Sequence, residues 1–189
     1  MFILIFIASL PLAGVVYFIF KNEAPITKGR IDYNINYSKD FRLDIYYPTK
    51  QVYQKSPVLL FIHGGAWMGG IKETVNNGRF NGAFNTLREN GYTIISLEYT
   101  LAEKNISAFP ACIINGFEVV DWIYHNAEKY NLDINNFGLM GESAGGHIAL
   151  MNSFTEGSDF DRPELIKLKV NYVVDVYGPT YLWGIYQSS

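Results

Sequence analysis

The sequence predicts an α/β fold: a mostly parallel sheet entered through an antiparallel hairpin, with helices on both of its faces. Three observations predict it. Strand-like and helix-like hydrophobic periods alternate from residue 57 onward. Residues 57–63 (PVLLFIH) and 92–98 (YTIISLE) are short continuous apolar runs, the pattern of strands buried on both faces. Ahead of them, two period-two segments rich in β-branched and aromatic residues flank the polar Ser38-Lys39-Asp40, as in a hairpin.

Taken in chain order, residues 1–20 (MFILIFIASLPLAGVVYFIF) hold no charged side chain. A helix of that length spans roughly 30 Å, the thickness of a bilayer's hydrocarbon core, and reads as a membrane anchor. A signal segment cleaved near Ala13-Gly14, which would make the protein secreted or periplasmic, and a buried core helix are the competing readings. The nearest basic residues, Lys21, Lys28 and Arg30, follow the span, so the positive-inside tendency keeps the domain cytoplasmic if the segment is an anchor. Residues 21–29 form a polar linker, and the folded domain begins at residue 30.

Residues 31–37 and 41–47 are the hairpin strands, and 57–63 is the first buried strand, ending in a glycine-rich turn. A helix is expected over 74–90, closed by Gly91. Strand 92–98 follows, then a helix over 110–127 with Pro110 at its start. Residues 136–141 read as a strand, 143–152 as a helix, 156–168 as a charged connection and 170–176 (VNYVVDV) as the last strand.

Composition narrows the function. Half the residues are hydrophobic (49%) and only 17% are charged, so most of the chain is expected to fold. A net charge of −3 with no basic block excludes a nucleic-acid footprint. Cys112, the one cysteine, lies beside Ile113 and Ile114 in a predicted helix and reads as a small buried hydrophobe. No cluster of His, Cys and Asp has metal-ligand spacing, so no metal and no cofactor is expected. Nothing assigns an oligomeric state.

The strongest local signal is Gly141-Glu142-Ser143-Ala144-Gly145, a G-x-S-x-G motif between an apolar strand and a helical run. A serine hydroxyl is a poor nucleophile unless it is well placed and partnered by a base. A sharp strand-to-helix turn lifts Oγ above the sheet and forces the serine into a strained backbone conformation. Gly141 and Gly145 spare the turn two Cβ atoms where strand and helix crowd together. The helix that follows aims its free N–H groups at developing negative charge. The sequence has neither of the nucleotide-binding glycine motifs.

A second signal, His63-Gly64-Gly65-Ala66-Trp67, directly follows the first buried strand. Acyl transfer builds an oxyanion, which backbone N–H groups stabilise; losing one donor costs about 10²–10³ in rate. Gly65 and Ala66 are assigned as two donors and Ala144 as the third, with Gly64 supplying the turn. His63 precedes the nucleophile and reads as a brace for the loop. His147, four residues beyond Ser143 on one helix, is expected to point into the fold. His125 is expected on a solvent-facing flank, and Trp67 to pack under the loop.

Together LDIYYP, PVLLFIHGGAW, IISLEYTLA, FPACI, FGLMGESAGGHIAL and VVDVYGPT resemble the α/β-hydrolase fold from about residue 31 to the end. The resemblance is to its esterase and lipase group, which includes hormone-sensitive-lipase-like, type-B carboxylesterase-like and feruloyl-esterase-like enzymes. It implies a serine hydrolase acting on small carboxylic esters through Ser143, with HGGAW as the oxyanion loop. It also implies an acid and then a histidine on later strands. Only residues 144–189 follow Ser143, and the only histidine among them is His147, so residues 30–189 read as the N-terminal part of such a domain. A fragment of weak or no activity, or an enzyme completed by a second chain, is the expectation. Asp175, on the last strand, comes too early for the triad acid. Amide or formamide hydrolysis uses similar parts, and a membrane-tethered binding domain that no longer catalyses is the reading from a different class. Relatives often carry Asp-Tyr-Arg where this chain has Glu98-Tyr99-Thr100, a proline within what is here LAEKN, and an acidic residue near Asn115-Gly116. These departures imply altered loop packing with unchanged chemistry.

Overall fold

The computed structural model describes residues 28–77 and 80–182. The apolar segment 1–20 and the linker up to residue 27 lie outside the described residues. Among the described residues, no helix is long and apolar enough to cross a membrane.

Six strands form one sheet: β1 (Ile31–Asn36), β2 (Arg42–Tyr46), β3 (Ser56–Ile62), β4 (Thr93–Leu97), β5 (Leu132–Glu142) and β6 (Tyr172–Val176). Their spatial order is β1-β2-β4-β3-β5-β6. The pairs β1–β2 and β2–β4 are antiparallel and the other three are parallel. The expected hairpin and parallel sheet are therefore both present. β3 and β4 are buried along their whole length, as continuous apolar runs between two helical layers require.

The helices are α1 (Thr74–Asn77), α2 (Asn81–Glu89), α3 (Ala111–Tyr130) and α4 (Ala144–Phe154), with a 3₁₀ turn at Gly157–Phe160. The single helix expected over 74–90 is thus described as two, on either side of residues 78–79. β5 begins four residues before the expected start at residue 136, because Ser56 and Pro57 pair with Leu132 and Asp133 before an irregularity resets the register at Val58–Phe137. Right-handed crossovers fix the sides of the helices. The chain steps from β3 outward to β4, then reverses to β5 and continues to β6, so α1 and α2 cover one face and α3 and α4 the other.

Two cores reflect this division. Leu43, Ile45, Leu60, Ile95 and Leu139 pack under α3 and α4 with Phe117, Val120 and Ile148. Tyr46, Leu59, Phe61, Ile94 and Met140 face α1 and α2 with Val75 and Phe84. Phe61 meets Phe84 edge to face at 5.0 Å, an arrangement worth about 0.5–1.5 kcal/mol beyond its burial. Cys112 is fully buried, and burial pushes its thiol up to about 11, as befits an inert packing residue.

Charge also enters the interior. Arg88 at the end of α2 is fully buried and donates to the carbonyls of Tyr47 (2.7 Å) and Lys28 (2.6 Å), tying the segment before β1 to the sheet. The reversal of strand order beside β3 is the feature that places the site. Ile62 and Gly141 are register partners at the C-terminal ends of β3 and β5, so the segments leaving those strands emerge side by side. Such a switch point is where open α/β sheets form their binding crevices.

Candidate active site

Ser143 sits at the junction of β5 and α4 with φ 53° and ψ −118°, a left-handed conformation that a side chain occupies only at a cost of about 1–3 kcal/mol. Its N–H donates to Val176 O (2.9 Å) and its carbonyl accepts from His147 N (3.1 Å), so strand β6 and helix α4 hold the turn from both sides. The glycines around it are obligatory by contact. A Cβ on Gly145 would lie 2.1 Å from Ile62 O and 2.5 Å from His63 O, and one on Gly141 would lie 2.1 Å from Gly145 O. Backbone therefore rests on backbone between β3, β5 and α4, and no side chain fits between them.

The loop after β3 runs against this elbow. A Cβ on Gly64 would meet Ser143 Cβ at 3.4 Å and Glu142 O at 2.9 Å. Gly65 (φ 129°), Ala66 (φ 54°) and Trp67 (φ 58°) are all left-handed. The N–H groups of Met68 and Gly69 both donate to Gly65 O at 3.0 Å, closing the turn. The N–H groups of Gly65, Ala66 and Ala144 make no hydrogen bond among the described residues. Gly65 and Ala66 are exposed, whereas Ala144 is buried at the first position of α4. The structure thus sets Gly64 against Ser143, with Gly65 and Ala66 next on the same loop and Gly141, Ala144 and Gly145 building the elbow.

His63 stands at the loop's base. Its ring stacks on Tyr99 at 4.3 Å, and Nδ1 lies 2.8 Å from Gly64 O. The Tyr99 hydroxyl donates to His63 O at 2.9 Å. Burial lowers the His63 pKa, against the opposing pull of the Gly64 carbonyl and of Glu73. Midway along the loop, Trp67 packs edge to face on His147 at 5.4 Å, and Trp67 O accepts from Ala102 N at 2.6 Å. His147 is buried, its Nδ1 is unpaired, and burial lowers its pKa. His125 lies exposed on α3 against the Asp121 carbonyl (2.9 Å). Ser143 Oγ makes no hydrogen bond among the described residues, and none of the three histidines is bonded to it. Asp175 caps the turn after β6 by accepting from Gly178 N at 2.8 Å. Tyr177, left-handed at φ 46°, donates its hydroxyl to the Glu142 carboxylate beside Ser143.

Sequence reasoning missed the loop's far end. Lys72 is fully buried, with Nζ 3.3 Å from the fully buried Asp44 of β2, ion-paired with Glu73, and 3.9 Å from Glu98. Burial opposes the lysine's charge, but the bonds and fields of Glu73 and Asp44 outweigh it and raise its pKa. Burial pushes the Asp44 carboxyl upward despite the Asn34 N–H and Lys72 that favour its charge. The one available signal was an aspartate inside an apolar strand, LDIYY, which requires a buried partner without naming it. Two departures noted in the sequence prove to be partners. Asn115 Oδ1 accepts from both Thr100 N (2.9 Å) and Thr100 Oγ1 (2.7 Å), a neutral link between the segment after β4 and α3.

A cleft of about 570 Å³ opens beside the loop, lined by Phe41, Met68, Ile71 and Leu101 and by the carboxylates of Asp40, Glu98 and Glu103. A second cleft, about 340 Å³, lies around Tyr47, Ser56, Thr93 and Tyr130 and contains none of the site residues. No group of three or more His, Cys, Asp and Glu among the described residues is arranged to hold a metal ion.

Comparison with known proteins gives a family match and a set of similar structures. The profile of the BD-FAE family matches residues 43–189. Esterase LipC of Mycobacterium tuberculosis is 27% identical over 75% of this chain and 34% of its own length. A truncated carbohydrate esterase from gut microbiota superposes with a TM-score of 0.68 at 25% identity, covering 83% of this chain and 60% of that one. The structure of an arylesterase gives 0.66 at 26% identity, covering 90% and 52%. The first curated relatives are matched over 25–34% of their own length.

Proposed function

The chain belongs to the BD-FAE family of α/β-hydrolase esterases, and on that premise we propose that it cleaves carboxylic esters through an acyl-enzyme on Ser143. One observation carries the reading: Ser143, held at φ 53°, abuts a left-handed loop whose Gly65 and Ala66 N–H groups are unused. Ser143 Oγ attacks the ester carbonyl. The N–H groups of Gly65, Ala66 and Ala144 receive the oxyanion, which has more charge to stabilise than the ground-state carbonyl and so lowers the barrier. Collapse expels the alcohol, and water releases the acid.

The proton on Oγ needs an acceptor. His63 is spent on the loop, His147 is buried against Trp67 with no bond to Ser143 Oγ, and His125 lies on the outer side of α3. We propose that the general base and its acid partner come from outside these 189 residues. The chain alone then retains only the residual rate that an oxyanion hole and binding supply. Imidazole added from solution should substitute for the absent base. Hydrolysis of p-nitrophenyl butyrate is expected to rise with imidazole in the wild-type chain beyond the rise in Ser143→Ala. Equal slopes in the two proteins would refute the nucleophile, and full turnover without imidazole would refute the external base.

The uncharged segment 1–20, followed by Lys21, Lys28 and Arg30, supports a membrane anchor with the domain on the cytoplasmic side. Fractionation of cells expressing the full chain, against one lacking residues 1–20, tests this: loss of membrane recovery is expected on deletion, and equal distribution would contradict it.

A further inference from the structure

Resting on the ester-cleaving reading, we propose that Lys72 is a positioning residue for the oxyanion loop, holding residues 64–71 in the path that aims the Gly65 and Ala66 N–H groups beside Ser143.

The loop needs such a hold. Gly65, Ala66, Trp67 and Gly70 all have positive φ. For Ala66 and Trp67 that conformation sets Cβ against the following carbonyl, and it persists only where the surroundings over-determine it. Within the loop, the two backbone bonds to Gly65 O and the contact of His63 Nδ1 with Gly64 O support the turn. The remaining support comes from outside, at three points. Tyr99 clamps His63 at the start, and His147 with Ala102 holds Trp67 in the middle.

Lys72 supplies the third point. Its ammonium reaches three carboxylates on three different elements: Asp44 on β2, Glu73 at the entry to α1, and Glu98 just past the end of β4. Its carbonyl accepts from the buried Ser96 Oγ of β4 at 2.8 Å, so side chain and backbone are fixed together. Burying an ammonium is costly, and a lysine whose only role was solubility would sit at the surface. Without that charge, Asp44, Glu73 and Glu98 lose the cation that joins them, and the loop's end is no longer tied by a side chain to β2 and to the segment after β4. The loop would then relax from its left-handed path while the elbow, held by backbone contacts, stays in place.

Amide hydrogen exchange of the full chain tests this independently of turnover. Met68 and Gly69 N–H (bonded to Gly65 O) and Ala102 N–H (bonded to Trp67 O) report the loop's path. In Lys72→Met these three amides should exchange at least about 10-fold faster, with α3 amides unchanged. The imidazole-assisted rate constant at saturating ester should fall about 10- to 100-fold with KM within about twofold, as loss of transition-state contacts requires. Should Lys72→Met not fold, Ser96→Ala removes only the carbonyl contact, and a rise of about two- to fivefold at the same amides is expected. Unchanged exchange at these amides, or an equal rise throughout the domain, would overturn the assignment. If Ser143→Ala leaves imidazole-assisted hydrolysis intact, the ester reading fails, while the exchange result still decides whether Lys72 holds the loop.

Discussion

The two turns that meet beside Ser143 are held by different means. The Ser143 elbow is backbone packed on backbone: Gly145 against Ile62 O and His63 O, Gly141 against Gly145 O, Ser143 N on Val176 O. The loop from His63 to Lys72 is held by side chains reaching in from other elements: Tyr99, His147, and the carboxylates around Lys72. The elbow is therefore rigid by exclusion of volume, and the loop by hydrogen bonds, ring contacts and charge. Perturbations that add atoms should damage the first, and those that delete polar groups the second.

The largest effect is expected from Gly145→Ala. A methyl 2.1 Å from a carbonyl oxygen must push β3 and α4 apart, and overpacking of this kind costs about 1–3 kcal/mol or more. Urea denaturation should show a lower midpoint with an unchanged slope, and an unshifted midpoint would break the backbone-packing account. Tyr99→Phe should cost somewhat less, about 1–2 kcal/mol, because it leaves the buried His63 carbonyl without its donor while preserving the ring stack. It should also speed exchange of the Met68 and Gly69 amides and leave the elbow undisturbed. An elbow that loosened equally would merge the two turns into one unit.

Smallest per residue is the effect of pH. Burial lowers the pKa of both His63 and His147, so the unfolded chain binds more protons than the folded one below the unfolded value. The stability from keeping these rings neutral is fully present above about pH 6.5. It declines as pH falls through that value toward the folded pKa, by at most about 1.4 kcal/mol per pH unit for each ring. Denaturation at pH 7.5 and 5.5 should show this loss, and His147→Phe should reduce it. An unchanged pH dependence in His147→Phe would remove that ring from the balance.

The contrast also explains what was legible in the sequence. The elbow was readable because all its requirements lie within Gly141–Gly145 and the apolar runs flanking them. The HGGAW loop was readable for the same reason, and the hairpin followed by a mostly parallel sheet was readable from the alternation of periods, whereas the strand order came only from the structure. Lys72 and Asp44 were not readable, because their link spans 28 positions and no local rule ties a lysine after a loop to an aspartate in the second strand. The Thr100–Asn115 bond was hidden in the same way: each residue stood out singly, and only the fold showed that they touch. Element ends shifted where tertiary pairing decided them, as at β5, whose first residues have no strand-like run and are extended by pairing with Ser56 and Pro57.

The most direct test of the nucleophile is to find the acyl group on it. After exposure to p-nitrophenyl butyrate with imidazole, the chain should carry one butyryl group on the peptide containing Ser143, by peptide mass spectrometry, and Ser143→Ala should carry none. A butyryl group on another residue, or none on a chain shown to be folded, would contradict the account.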